Sequence, residues 1–475
     1  MERASPSFPN EVWMRVFSYI ADIPSLKAVN LTSRRFHRLG MDELLRALSW
    51  KTEQKALSSL EFWERNMNLA YIPISLSITL RSRDDPATST TYPAILNHVS
   101  AFKNLGSLSI SNASLPPTIY RVLLTLSHLT RLDLQSCYVP DAPPHFPFSY
   151  PSFWDQDLDG TDIASGVTHL SLRNVARLPP AAAVTIADLH AQIDLFNHLP
   201  HLAALTLDYL QSAGPPVFAH LTALTLLPAY TPNHTVGQLN MYLPAAHSLV
   251  HLTVGAPAMP GSRDGPPTLA PTAPLLQTLA APEFVARALV PNAPALAALT
   301  VNTPLAAVAD ALALIEGAPA ATLHTLELSL DGWDDEVLLA VTQCLPACRR
   351  VALTFRFGAP TADFVFNLGV EHLPRLAHLH TLHLHPRAPD PRAERPGAPA
   401  LGFGFDDDDD YDDLGIVQRQ ETRVAAEPPA EAVCAEALAA WTRYNPALRA
   451  VRFDLKREWA RTHRGGRWAL GGVEE

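Results

Sequence analysis

Two periods of apolar residues run along the chain. Near the start the period is that of a helix: Val12, Val16 and Ile20 recur every four residues, with Trp13 and Phe17 beside them, and lay an apolar stripe along one face. Pro9 suits a first helical turn, where its missing N–H is not needed, and Glu11 lies near the positive end of the helix dipole. A second start signal follows at Asp22-Ile23-Pro24-Ser25, with Leu26, Val29 and Leu31 behind it. Ser33 caps a third segment, in which Phe36 and Leu39 face inward while Arg34, Arg35 and Arg38 stay in solvent. Three short helices cannot bury so many large apolar groups among themselves. Part of that face is left for a partner or for the rest of the chain.

Helical spacing continues through Met41–Leu48 and Glu53–Met67, and then the period drops to two. Ile74-Ser-Leu76-Ser-Ile78-Thr-Leu80 alternates strictly, as a strand does. A phrase of the form Leu-x-x-Leu-x-Leu then returns. It stands at Leu105–Ile110, Leu129–Leu134, Val167–Leu172, Leu202–Leu207, Leu221–Leu226, Leu249–Val254, Leu296–Val301, Leu323–Leu328, Cys348–Leu353, Leu379–Leu384 and Leu448–Phe453, with a weaker copy at Leu276–Leu279. Central positions such as Leu108 and Leu132 lie 24 residues apart, Leu224 and Leu252 28, Leu299 and Leu326 27. One short parallel strand per repeat would turn the first, fourth and sixth side chains into a shared core and leave those between them on a concave face. Helical patterns at Thr118–Leu126, Ala182–Leu195, Ala306–Ile315 and Asp335–Leu345 supply the convex side.

The opening residues resemble an F-box, the helical motif that docks onto the small Skp-type adaptor of cullin-RING ubiquitin ligases. Phe8-Pro9-Asn10-Glu11-Val12 fills the family's Leu-Pro-x-Glu-Ile/Leu opening, Val16-Phe17 its apolar pair, Ile20 and Pro24-Ser-Leu26 its middle, and Leu31 with Arg34-Arg35-Phe36 its close. Phe8 replaces the usual Leu, and Ser25 the frequent Asp. The repeat spacing is similar to that of leucine-rich repeats, and the combination resembles the F-box/leucine-rich-repeat class of substrate receptors. The Asn or Cys of that family's ninth position appears clearly only as Cys137; Ala113, Val175, Leu210 and Pro304 stand elsewhere, so irregular turns are expected. The resemblance implies an α/β fold: an F-box over 1–45, a linker helix over 46–70, and a degenerate leucine-rich-repeat solenoid over 71–475. An amphipathic helical cap on the repeat array is the alternative reading of the head.

Three stretches interrupt the repeats. Residues 139–159 are rich in Pro and aromatic rings, which fold back onto the array or form a recognition lip. Residues 255–274 read as an exposed loop. Residues 386–429 include the run Asp406–Asp410 with Asp412 and Asp413, a density of like charge that predicts disorder. That run lacks the glycine and spaced ligands of a calcium loop.

Composition narrows the function. A net charge of −11 and a pI near 5.9 argue against nucleic-acid binding as the main activity, because phosphate contacts need clustered Lys and Arg. Four cysteines, Cys137, Cys344, Cys348 and Cys434, are too few and scattered for a disulfide framework. With no leader and no membrane-length apolar run, the expectation is an intracellular protein, cytoplasmic or nuclear, without a membrane role. No catalytic signature is present, and no cofactor is implied. His383 and His385 share strand spacing within His378–His385, but no carboxylate or cysteine is placed in sequence to complete a zinc site, and no metal is expected.

The reading is therefore a substrate-recognition subunit. The resemblance assigns adaptor binding to Phe8, Pro9, Val12, Val16, Phe17, Ile20, Leu26 and Leu31, with cullin and RING subunits reached through the adaptor. Strand register assigns binding of an unidentified protein target to Arg131, Asp133, Gln135, His169, Arg173, Asp208, His251, Asn302, Glu327, His383, His385, Arg452 and Asp454. A non-catalytic scaffold acting outside a ubiquitin ligase is the alternative. The basic and aromatic stretch Lys456–Trp468 caps the last repeat or meets an acidic partner.

Overall fold

The computed structural model describes residues 8–20, 22–79, 91–113, 115, 118–139, 166–173, 176–177, 201–207, 220–228, 232–257, 273–387, 431–453, 457–461 and 466–472. They belong to two compact units, Met1–Leu249 and Val250–Glu475, so the division falls inside the stretch expected as one repeat domain. Asp208, Asp454, the helical pattern at 182–195 and most of the three interruptions lie outside the described residues.

The first unit opens with α1 (Asn10–Ser18), α2 (Ile23–Thr32) and α3 (Arg34–Arg46). Asp22 caps α2 by accepting from Ser25 N at 2.8 Å, and Ser33 caps α3 by accepting from Phe36 N at 3.1 Å. Arg35 closes the bundle: its guanidinium donates to the Phe8 carbonyl at 2.7 Å and to Asn10 Oδ1 at 2.8 Å. Trp13, Phe17 and Phe36 pack as an aromatic knot, with Trp13 and Phe36 centroids 4.6 Å apart.

The expected linker helix over 46–70 differs from what forms. α3 passes directly into a strand, β1 (Ala47–Trp50), and only afterwards comes α4 (Glu53–Arg65). The physical reason is pairing: Leu48 and Trp50 lie in parallel register with Leu76 and Ile78, and Trp50 is buried. β2 (Ser75–Thr79), α5 (Thr91–Val99), β3 (Ser107–Ser111), α6 (Thr118–Thr125), β4 (Arg131–Gln135), β5 (Tyr138–Val139), β6 (His169–Arg173), β7 (Ala176–Arg177), β8 (Ala204–Leu207), β9 (Ala223–Leu226) and α7 (Pro232–Tyr242) complete the unit. β5 and β7 form a separate pair. The other strands are parallel and in one register, Ala47, Ser75, Ser107, Arg131, His169, Ala204 and Ala223 lying side by side.

The second unit holds β10 (His251–Val254), β11 (Thr278–Ala281), α8 (Glu283–Leu289), β12 (Ala298–Val301), α9 (Val308–Gly317), β13 (Thr325–Gly332), α10 (Asp335–Cys344), β14 (Arg350–Phe357), α11 (Ala362–Asn367), β15 (Thr381–Pro386), α12 (Glu431–Tyr444), β16 (Ala450–Arg452), β17 (Arg457–Ala460) and β18 (Ala469–Gly472). β10 to β16 are parallel in register. β17 and β18 turn back antiparallel. The weak copy at Leu276–Leu279 is a full repeat, with both leucines buried.

The repeats hold together through the main chain. In many of them, the N–H groups of the strand's first residue and of the residue before it meet one carbonyl of the preceding repeat: Gln277 and Thr278 on Val250 O, Ala297 and Ala298 on Gln277 O, His324 and Thr325 on Ala297 O, Arg349 and Arg350 on His324 O. Thr130 and Arg131 on Gly106 O do the same in the first unit. A second recurring feature was not read from the sequence. Three residues before the first leucine stands a buried group, as in Phe102, Leu126, Ala246, Ala273, Ala293, Leu345, Leu376 and Asn445, whose carbonyl accepts from that leucine's N–H or its equivalent. Where Cys137 keeps the ninth position, its thiol sits within bonding distance of Ile110 O at 3.3 Å, and burial raises its pKa. This is a leucine-rich-repeat architecture: parallel strands in leucine register, alternating with helices.

Candidate functional site

The head and the outward strand positions carry the residues that the sequence singled out. On the head, the eight expected adaptor contacts divide. Phe8 (61% exposed), Val12, Val16 and Leu31 (84%) are on the surface, as is Pro9, while Ile20 is half-buried. Phe17 and Leu26 are buried inside the bundle, which corrects their assignment as contacts: Phe17 sits under Trp13 and Phe36. Met14 and Tyr19, not singled out, are also exposed. Eleven of the sixteen exposed large apolar side chains among the described residues lie between Phe8 and Ile74. Water-exposed apolar area on that scale is unfavourable unless something covers it.

Each unit has its own outward row of strand positions. In the first, Arg131, Gln135, His169 and Arg173 are exposed, and Arg173 donates to Ser171 Oγ at 3.2 Å. Asp133 is half-buried, and its Oδ1 has no hydrogen-bond partner among the described residues. Register also places Ser49, Ser77, Ser109, Ser171, Thr206 and Thr225 in the same line as Asp133. Most of this row is hydroxyl, a feature the sequence reading passed over in favour of charges.

In the second unit, His251 is exposed, and Asn302, Glu327, His383 and Arg452 are half-buried. Arg350 Nε meets Glu327 Oε1 at 3.0 Å, and Thr300 donates to Glu327 Oε2 at 3.3 Å. His385 is buried rather than exposed, its ring bonded to Pro386 O at 2.8 Å. The His383 ring lies 6.2 Å from it. Glu458 Oε2 is 3.8 Å from His383 Nε2, a contact that would favour the charged ring, yet too long for a hydrogen bond. Burial dominates and, with the positive charges of Arg350, His385 and Arg452, lowers the His383 pKa to about 4. Among the described residues no group of three His, Cys, Asp or Glu is arranged to hold a metal ion. Nor is any helix among them long and apolar enough to cross a membrane.

No model of a known protein family matches the chain, and no curated protein matches it. The chain is similar to a number of solved structures, two of which follow. An internalin from Listeria monocytogenes is 15% identical, with a TM-score of 0.29 over 61% of this chain and 78% of its own. The plant peptide hormone receptor RGFR1 in complex with RGF2 is 11% identical, with a TM-score of 0.21 over 73% of this chain and 68% of its own. The repeat assignment rests on strand register and main-chain bonding, not on these values. The register and the recurring buried leucines define the fold as a leucine-rich-repeat architecture, with an outward row of strand positions in each unit.

Proposed function

We propose that the chain is a substrate-recognition subunit of an SCF-type ubiquitin ligase. The head docks onto a Skp-type adaptor, which brings the cullin and RING subunits, and the outward rows of the repeats hold a protein destined for ubiquitination. The observation behind this reading is the set of exposed apolar side chains on the head, Phe8, Val12, Met14, Val16, Tyr19 and Leu31, in a segment whose residues resemble an F-box. Positioning is the whole contribution in this reading, and the bond-forming chemistry belongs to the other subunits.

The test is co-purification of the full chain with a Skp-type adaptor and cullin. The Val12→Asp, Val16→Asp double variant changes two surface positions and leaves the aromatic knot intact, so it is expected to keep its helical content and lose both partners. Phe17→Asp places an unpaired carboxylate in the knot and is expected to unfold the head, which marks it as a folding control. If the wild type captures neither protein, the ligase reading fails and the chain is an interaction scaffold whose head has another partner.

A further inference from the structure

The two kinds of permanent cation are unevenly divided along the chain. Lysine stands at Lys27, Lys51, Lys55 and Lys103 and then not again until Lys456; every such cation between Lys103 and Lys456 is an arginine. A general preference for arginine would thin the lysines evenly. Instead they are gathered at the beginning, with Lys27 on α2, Lys51 before α4, Lys55 in its first turn and Lys103 after α5, and all of these are exposed. Lys456 lies outside the described residues.

Geometry accounts for some of the arginines. Arg287 pairs with Glu283 and Asp310, and Arg350 reaches Glu327 through Nε at 3.0 Å, uses that suit a planar guanidinium. Arg356 lies 5.0 Å over the ring of Phe357. Arg349, Arg375 and Arg387 have no such use. They are exposed, at the residue before β14, at the end of the short helix Leu373–Arg375 and just after β15, and none has a side-chain hydrogen bond or ion pair among the described residues. A lysine would supply the same charge there. What it would add is a primary amine, whereas the guanidinium stays protonated and is not a nucleophile.

That difference has chemical weight under the ligase reading proposed above, on which this inference rests. In the transfer step a lysine Nζ attacks the thioester carbonyl that joins the C-terminus of ubiquitin to a cysteine of the conjugating enzyme. The C–S bond breaks, an amide forms, and the proton given up by the amine leaves with the departing thiol; nothing is oxidised or reduced. Proximity drives the step, and proximity does not distinguish a held protein from the surface that holds it. A lysine-bearing array would compete with its own target. We infer that the repeats beyond Lys103 are kept silent as ubiquitin acceptors by carrying their cations as arginine, and that self-modification of the receptor falls on Lys51, Lys55 and Lys103. Lys27 stands four residues before Leu31 on α2 and shares its helix face, so docking of the adaptor covers it.

The experiment uses the full chain assembled with a Skp-type adaptor, cullin and RING subunit and supplied with activating enzyme, conjugating enzyme, ATP and ubiquitin. Ubiquitin remnants are mapped by mass spectrometry, and the modified fraction of the chain is followed in time. The Arg349→Lys, Arg375→Lys, Arg387→Lys triple variant keeps the charge at exposed sites away from the head and from the assigned target row, and an unchanged unfolding midpoint checks its fold. The wild type is expected to carry remnants at Lys51, Lys55 and Lys103. The triple variant should be modified at roughly double that rate or more, with remnants at the three substituted positions, because the number of open acceptors doubles. Lys51→Arg, Lys55→Arg, Lys103→Arg in one chain should remove most of the modification. An assembled triple variant that is modified no faster than the wild type overturns the inference and leaves the ligase reading standing. Modification that persists without Lys51, Lys55 and Lys103 does the same, since another acceptor would then carry it. Failure of the wild-type chain to assemble with the adaptor overturns both.

Discussion

Gly369 sits in a π-helical turn, Leu368–His372, against the indole of Trp441 from α12. A Cβ added there would lie 2.1 Å from Trp441 Cδ1 and 2.6 Å from Nε1. Ordinary carbon contacts begin at about 3.5 Å, so the ring must move by more than ~1 Å. It has little freedom to do so: Trp441 is fully buried, its Nε1 donates to Val365 O at 3.2 Å, and Phe453 packs edge-on at 5.8 Å. Overpacking costs about 1–3 kcal/mol, and a stretched or broken buried hydrogen bond adds about 1–3 kcal/mol. Against these, the alanine stiffens the unfolded chain and returns about 0.4–1 kcal/mol. Gly369→Ala is thus expected to destabilise the second unit by about 2–4 kcal/mol, or roughly 2–4 °C in midpoint per kcal/mol for a unit of this size. Calorimetry of the full chain reads the shift, and a cycle with Trp441→Leu tests its cause, because a smaller partner should remove most of the penalty. A neutral or stabilising Gly369→Ala, or additivity with Trp441→Leu, would refute the packing argument.

Further outcomes can be checked on the same protein. Leu299→Ala, at a fully buried site between Leu279 and Leu326, should cost about 3–5 kcal/mol in urea unfolding, and Thr300→Ala on the adjacent outward position under about 1 kcal/mol; similar values for the two would contradict the strand register. His383 has a folded pKa of about 4 against 6.5 unfolded, so between those values the unfolded chain binds more protons. The associated stability is fully present above pH 6.5 and is lost as pH falls toward 4, by up to about 3 kcal/mol, and His383→Gln should flatten that slope. Asn445 donates to Leu376 O at 2.7 Å and accepts from Ala447 and Leu448 N at 3.0 and 3.1 Å; Asn445→Ala should cost about 2–4 kcal/mol, and a loss below 1 kcal/mol would mean the turn is held otherwise. Arg35→Ala should free the Phe8 end of α1, seen as faster hydrogen exchange at 8–17 with β2 and β3 unchanged.

The strands were legible because two signals coincide at them, alternation within a phrase and recurrence near every 25 residues, and both follow from one leucine-lined core. Helix starts at Asp22 and Ser33 were legible because the capping chemistry is local. The strand at Ala47–Trp50 was not, since Met41–Leu48 continues the helical period and no Gly or Pro marks the break; only the partner Leu76 and Ile78, far along the chain, makes it a strand. The same holds for Phe17. A helical stripe shows which residues are apolar, but which edge of it turns toward Phe36 and which toward solvent is decided by the crossing of α1 and α3. The break after Leu249 leaves no mark either, because the repeat phrase runs through it. Of the candidate surface, the charged members were visible and the hydroxyl line was not, since Ser and Thr at outward strand positions are unremarkable until register aligns them.

The carbonyl relay that joins successive repeats has a consequence for variation. Val250, Gln277, Ala297 and His324 transmit the pitch through atoms that every amino acid possesses, and the leucines supply the filling. Identity at the outward positions is then almost free. Ser75, Ser77, Ser107 and Ser109 could be rewritten wholesale, by selection or in a library, without renegotiating the spacing of the strands beneath them. The frame is a writable lattice, and a change of partner would demand new letters rather than a new page.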